Sequence, residues 1–474
     1  MTLTFTYVLL GLYAAAIYAL SWRGLKQTKT AEGFAIGNRD MSPVLIGLTL
    51  AASISSTATF VINPGFVYTH GVSAYLHFGV AGALGIAVGL IVLTRRFYVV
   101  GSSQGSLTIP EWIQQRYQSR SLGLFFAVIN LLSITFVVLI LVGCSLLLSS
   151  LLQIDQKLAL ILILFFVFSY VLMGGTYAHA YTNALQGVMM LFVAAALFID
   201  GWHYFGGAPL AALASVSENY AATYNPNSSL YFDFFSVFLS GFVVTFALML
   251  QPHILTKVLY LQSERDTRTF LLTTIGTGTV FMLVLFIGFY ARLAGYEIEQ
   301  QDAVVREYLV FEFAQSAWGP YILVIIFVAL LAAGMSTLDG ILVALSAMVT
   351  TDILKPLGVG EERGLLVARL VLIAIGIIAL IVAWDPPALV GLFAQKGVYG
   401  LAAATLVPVL FGVMSEEPIS VWVVGPAAVI GLATHLVLNL GLGVENPAIS
   451  ATYGIFFALA WGMAALIFQR LMKN

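Results

Sequence analysis

Thirteen apolar stretches of about 20 residues follow one another along the chain, at roughly 2–22, 43–68, 73–94, 121–151, 157–174, 181–205, 229–256, 269–294, 318–349, 364–384, 387–413, 418–440 and 448–469. About 20 apolar residues in a helix cross the hydrocarbon core of a bilayer. Backbone groups have no water to bond there, so segments of this length must be helical. The charge content agrees: 9% of the 474 residues are Asp, Glu, Lys or Arg, against roughly 25% in soluble domains. The expected fold is an all-α membrane protein of about 13 transmembrane helices. A net charge of −2 offers no basic surface for nucleic acid, and the single Cys144 excludes an internal disulfide. The first run, Thr2–Trp22, has no basic residue ahead of it and no clear cleavage site, so it reads as a retained helix. The longest external loop, about 206–228, is too short for a soluble domain, and no phosphate-loop motif occurs. The expectation is one integral membrane domain over 1–474.

Lys and Arg set the orientation. One set of loops holds Arg23, Lys26, Lys29, Arg39, Arg95, Arg96, Arg116, Arg120, Lys257, Arg265, Arg268, Lys355, Arg363 and Arg369, and the tail adds Arg470 and Lys473. The other side holds Lys157, Arg292 and Arg306. The richer side is expected to be cytoplasmic, with the N-terminus outside and the C-terminus inside. An odd number of spans follows.

Polar groups at membrane depth are expensive and mark function. Three places stand out. "AAGMSTLDGILV" (332–343) puts Ser336, Thr337 and Asp339 inside an otherwise apolar span. "LTLAASISSTATFVINPGFVY" (48–68) crowds Ser53, Ser55, Ser56 and Thr57 on one helix, and Asn63-Pro64-Gly65 is expected to break it. Lys396 lies some ten residues into its helix, near mid-membrane at about 1.5 Å per residue. Each has a plain alternative. A lone serine in such a helix usually bonds its own backbone or a neighbour, Lys396 can snorkel outward, and Pro252 can be only a kink. His253 beside it suits packing or gating. Yet sodium prefers oxygen ligands, and transporters build sodium sites near the midplane from broken helices. Asp339, three residues after Ser336, shares its side of the helix and suits a second cation or a proton.

These residues sit among landmarks that resemble the sodium:solute symporter family: "EGFAIGNRDMSP" (32–43), "LTIPEWIQQRY" (107–117), "GGTYAHAYTNALQGVMM" (174–190), "LQPHILTKVLYLQSERDTR" (250–268) and "AAGMSTLDG" (332–340). The resemblance runs over almost the whole chain and is nearest the proline, pantothenate and monocarboxylate branches. It implies a LeuT-type inverted repeat of helices 2–6 (43–205) and 7–11 (229–413), with helices 2 and 7 discontinuous. One extra helix (2–22) precedes the repeats and two (418–474) follow. It implies a Na+ site formed by the carbonyls of Ala51, Ile54 and Ala333 and the hydroxyls of Ser336 and Thr337. One departure matters: the family's signature Asp is Asn183 here, beside Thr182, and Asp339 stands where Ser is common. A second cation or proton site is therefore expected at Asp339, Asn183 and Thr182, or else is lost.

The resemblance places the substrate between helices 2, 3, 7 and 11. Ser53, Ser56, Thr57 and Phe60 are expected to face it from helix 2. Thr245, Leu248 and Gln251 are expected from helix 7, and Gln395 and Lys396 from helix 11. Val244 and Leu248 stand where proline transporters carry large aromatics, which argues against proline. A buried Lys396 needs a counter-charge, and a substrate carboxylate would supply it, unless Lys396 pairs with Asp385 at an outer gate. The expected function is sodium-coupled symport of a small organic anion, a monocarboxylate or pantothenate-like acid, across the plasma membrane by alternating access. A proton-coupled symporter using Asp339, or a non-transporting sensor of the same fold, are the alternatives. No nucleophile–base–acid set suggests an enzyme.

Overall fold

The computed structural model describes residues 2–30, 33–34, 40–104, 106–313, 316–358 and 364–472. Arg39, Arg363, Lys473 and much of the 32–43 landmark lie outside the described residues. Among the described residues, ten helices are long and apolar enough to cross a bilayer, and two bent pairs raise this to twelve. All thirteen expected segments fall on these elements. The segments 157–174 and 181–205 share one helical stretch, Gln156–Phe205.

In chain order the spans are α1 (Leu3–Leu25), α2a and α2b (Pro43–Ile54 and Ala58–His70), α3 (Val72–Val99) and α4 (Arg120–Leu152). Helices α5 and α6 are the two halves of Gln156–Gly201, before and after Gly175. Then come α7a and α7b (Phe235–Leu248 and Pro252–Tyr260), α8 (Asp266–Leu293), α9 (Gly319–Leu357), α10 (Gly364–Ala383), α11 (Val390–Met414), α12 (Val421–Gly441) and α13 (Pro447–Leu471). At about 1.5 Å per residue, the 46 residues of Gln156–Gly201 run to about twice a bilayer core of about 30 Å. The joint at Gly175 has φ 50° and ψ −130°. A Cβ there would lie 2.5 Å from the Phe34 ring and 2.7 Å from its carbonyl oxygen. Both the dihedral and the packing require glycine.

Helix α9 is the axis of the bundle. From Ile326 to Ile341 every residue is buried, and α1, α2a, α4, α10 and the α5/α6 stretch pack around it. A helix that is apolar all round is expected in that position. The "TIPEW" landmark forms a short helix, Ile109–Tyr117, at one end of the bundle. Thr108 caps it by accepting from Glu111 N, while the Glu111 carboxylate accepts from Leu107 N, a variant of the capping box. Arg116 then donates to the Gly412 and Ser415 carbonyls at the end of α11.

Two expectations need correction. The chain breaks at Ser55–Thr57, upstream of Asn63-Pro64-Gly65, with a 50° bend between α2a and α2b. Residues Ala58–Ile62 are wound as a π-helix, and Asn63 N–H bonds back to Ala58 O. The wider turn accommodates Pro64 without a break. Lys257, counted above among loop cations, is instead 1% exposed inside α7b.

Candidate ion and solute site

Both breaks have local causes. Helix α2a ends at Ile54, and Ser55 (φ −89°, ψ 73°) leaves the helical region. Helix α7a ends at Leu248, and Gln251 is extended (ψ 145°) just before Pro252 opens α7b. A residue before proline is pushed out of the α region, and proline has no N–H to continue the helix. The two halves of α7 meet at 64°.

The hydroxyls of α9 meet the end of α2a. Ser336 Oγ donates to the carbonyls of Ala52 at 3.0 Å and Ala333 at 2.8 Å. Thr337 Oγ1 donates to the Ser53 carbonyl at 3.0 Å. Ser53 Oγ returns a bond to the Ser336 carbonyl at 3.3 Å. Asn183 Nδ2 joins from α6, donating to Ser53 Oγ and the Ser336 carbonyl. The carbonyls engaged are thus those of Ala52 and Ser53, between the expected Ala51 and Ile54; the Ala51 carbonyl accepts from Ser55 N. Close approach is possible because α9 has Gly334 here: a Cβ would lie 2.1 Å from Cys144 Sγ and 2.5 Å from Thr57 Oγ1. Every group in this cluster is a neutral oxygen or amide.

Asp339, Asn183 and Thr182 do not form one cluster. Thr182 Oγ1 bonds its own helix at the Ala178 and His179 carbonyls. Asp339 turns the other way, with Oδ1 2.8 Å from His179 Nδ1 and Oδ2 accepting from Tyr170 OH at 3.1 Å.

Beside the Ser53 end of this cluster lies a cavity of about 120 Å³, partly open to its surroundings. Ser53, Ser56, Thr245, Leu248, Gln251 and Gln395 line it, as expected. Thr59, Asn63, His253 and Tyr399 add polar groups that the residue pattern did not single out as facing solute. Thr59 follows Ser56 by one helical step of three, which could have flagged it. Three expected residues point elsewhere. Thr57 faces α4, 3.6 Å from Cys144 Sγ. Phe60 packs edge-on against Phe281, with ring centroids 5.4 Å apart. Lys396 does not line the cavity, and its carbonyl meets His435 Nε2 on α12 at 2.9 Å. Among the described residues, no Lys, Arg, Asp or Glu lines the cavity. At one end the Phe66 and Phe78 rings stand 5.5 Å apart with Tyr231 edge-on to both. Elsewhere in the bundle, Tyr177 OH and Gln262 both bond Asp40, and Met41 bridges Leu261.

The model of the sodium:solute symporter family matches residues 34–418. The chain belongs to the sodium:solute symporter family. It is 25% identical over 407 residues to a sodium/proline symporter of Staphylococcus aureus (strain Newman), covering 80% of this chain and 75% of that one. Its fold is similar to that of a Na+-coupled sialic acid symporter solved in a substrate-bound outward-open state, with a TM-score of 0.78, 19% identity, and coverage of 98% and 97% of the two chains. A nucleobase-cation-symport-1 family transporter in a closed conformation gives 0.56 at 12% identity, covering 91% and 94%. The family and the multi-span architecture make this chain a multi-pass membrane transporter, not an enzyme, and they give sodium-coupled solute uptake as its function.

Proposed function

We propose that the sodium ion binds where α9 meets the end of α2a, and that the solute it drives is a small carboxylate held in the adjoining cavity. The observation that carries the ion site is the pair of α9 hydroxyls resting on α2a carbonyls. An ion entering there displaces the hydroxyl protons from the carbonyls. It gains the Ala333 carbonyl, the Ser336 and Thr337 hydroxyls, and carbonyls from the Ala51–Ile54 turn as oxygen ligands. Hard cations select such oxygens. The ion ties α2a to α9 and so favours the arrangement of α2 that shapes the solute cavity, which is how one ligand raises the affinity for another.

The cavity has mostly apolar walls and neutral polar groups. A carboxylate would be met there by the hydroxyl of Ser56 and the amides of Gln251 and Gln395, with the bound sodium supplying the counter-charge. Lys396 has no part in this reading. One sodium ion bound with one singly charged carboxylate carries no net charge, so the sodium concentration gradient and not the membrane potential drives inward movement of the loaded protein, with the N-terminus outside.

Uptake into proteoliposomes under an imposed sodium gradient tests this, with radiolabelled small carboxylates and their amides side by side. The expected result is sodium-driven uptake of a carboxylate and none of its amide. Lys396→Gln should leave the KM for that solute unchanged, while Gln395→Leu should raise it about tenfold, the cost of about one hydrogen bond to a charged group. Uptake of the amide at an equal rate, or a KM raised by Lys396→Gln, overturns the solute assignment.

A further inference from the structure

We propose that Lys257 is a resident cation that stands in for a second coupling ion, so that this symporter takes up one sodium ion per cycle. The proposal rests on the sodium site of the preceding section and adds the ion count.

Asp339 is a carboxylate buried at the centre of the bundle, and Lys257 is an ammonium buried in α7b. A single buried charge is costly, and each needs the other or an ion from solution. Five helices bring the groups together. Asp339 on α9 accepts from Tyr170 on α5 and pairs with His179 on α6. Tyr13 on α1 and Lys257 on α7b both lie within its electrostatic reach. The phenols bring no positive charge, so Lys257 is the fixed cation of the group. Cys144 and His253 are further titratable neighbours, and the His253 carbonyl accepts from Lys257 Nζ at 2.5 Å.

The histidine links the two charges. A carboxylate only accepts, so His179 holds its proton at Nδ1 and presents Nε2 as an acceptor. That Nε2 is buried and has no hydrogen-bond partner among the described residues. A small cavity lined by His179, His253, Thr256, Lys257 and Gly340 joins it to the lysine. Gly340 makes room: a Cβ would lie 2.7 Å from His179 Cε1. The lone pair therefore opens on the space that the ammonium shares, and a cation there faces the Asp339–His179 pair. The hydroxyls that line this space are engaged elsewhere, Thr256 donating to the Pro252 carbonyl and Thr108 to Asp352, while Thr182 bonds its own helix and Asn183 faces Ser336. The place is built for a tethered ammonium. Removing that ammonium should make Asp339 recruit a mobile cation instead.

The test counts radioactive sodium bound to purified protein at saturation, in wild type, Lys257→Met and Lys257→Met/Asp339→Asn. The expected result is one ion per chain in wild type, two in Lys257→Met, and one again in the double variant. Two ions on the wild type, or one on a folded Lys257→Met, overturns the resident cation while leaving the first site standing. No sodium-specific binding to the wild type overturns that first site and this count with it. If Lys257→Met does not fold, the double variant decides. Recovery of the wild-type melting temperature supports the charge pairing, and no recovery overturns it.

Discussion

Two polar regions share the middle of α9, and they solve the cost of burial differently. The first, at Ser336 and Thr337, is built from neutral hydroxyls, carbonyls and one amide, all bonded to one another. The second, at Asp339, is a carboxylate bonded to a histidine and a tyrosine, with Lys257 as its proposed counter-charge. A neutral cluster carries no charge to be compensated when the ion is absent, although Asn183 Oδ1 is buried in it without a hydrogen-bond partner among the described residues, and it can exchange its internal hydrogen bonds for ion contacts, so it can bind and release. A charged cluster cannot be left half-filled at that depth. It needs a permanent counter-charge, and its contribution is structural whether or not an ion is passing. The difference teaches which polar group in a membrane helix is mobile machinery and which is fixed wiring.

The largest way to break this contrast is Asp339→Ala. Removing one partner of a buried charged network typically costs 3–5 kcal/mol, so the variant should show a lower melting temperature with or without sodium. Ser336→Ala is the sharper counterpart. It removes one ligand from a neutral cluster and should cost about 1 kcal/mol of stability. The sodium concentration for half-maximal activation of uptake should nonetheless rise tenfold or more. Equal stability losses in the two variants would erase the distinction.

The smallest effect expected lies outside the spans. Asp302, in the loop between α8 and α9, accepts from Val390 N at the start of α11 at 2.9 Å. Burial pushes its carboxyl up to about 6. The folded protein therefore holds this proton more tightly than the unfolded chain. The stabilisation is full below the ordinary carboxylate range and is lost as pH rises through about 6. Between pH 5 and 7 wild type should lose on the order of 1 kcal/mol that Asp302→Asn does not lose, read as a difference in melting temperature.

Much of this was legible in the residues. The apolar runs locate every span, because lipid imposes one length and one backbone solution. The contact of Ser336 and Thr337 with a neighbouring helix was legible because hydroxyls paired at the centre of a buried helix need oxygen partners, which α2a supplies. What failed was direction. Thr57 lies in the break, beyond which helical phase cannot be extrapolated. Phe60 lies in a π-turn that shifts the phase again. Gln395 and Lys396 differ by one residue, hence about 100° of rotation, and periodicity alone does not say which faces the solute. Lys257 reads as a loop cation because α7b is short, and only the packing of α7b against α2a, α3 and α9 buries it.

The most direct test of the central claim is a thermal-shift series on purified protein in sodium against potassium and choline at constant ionic strength, with Ser336→Ala alongside. A ligand that binds only the folded state raises the melting temperature by mass action. The account predicts a sodium-specific rise that grows with sodium concentration and is lost or greatly weakened in Ser336→Ala. An equal rise in the variant, or the same response to all three cations, would contradict the sodium site at α9.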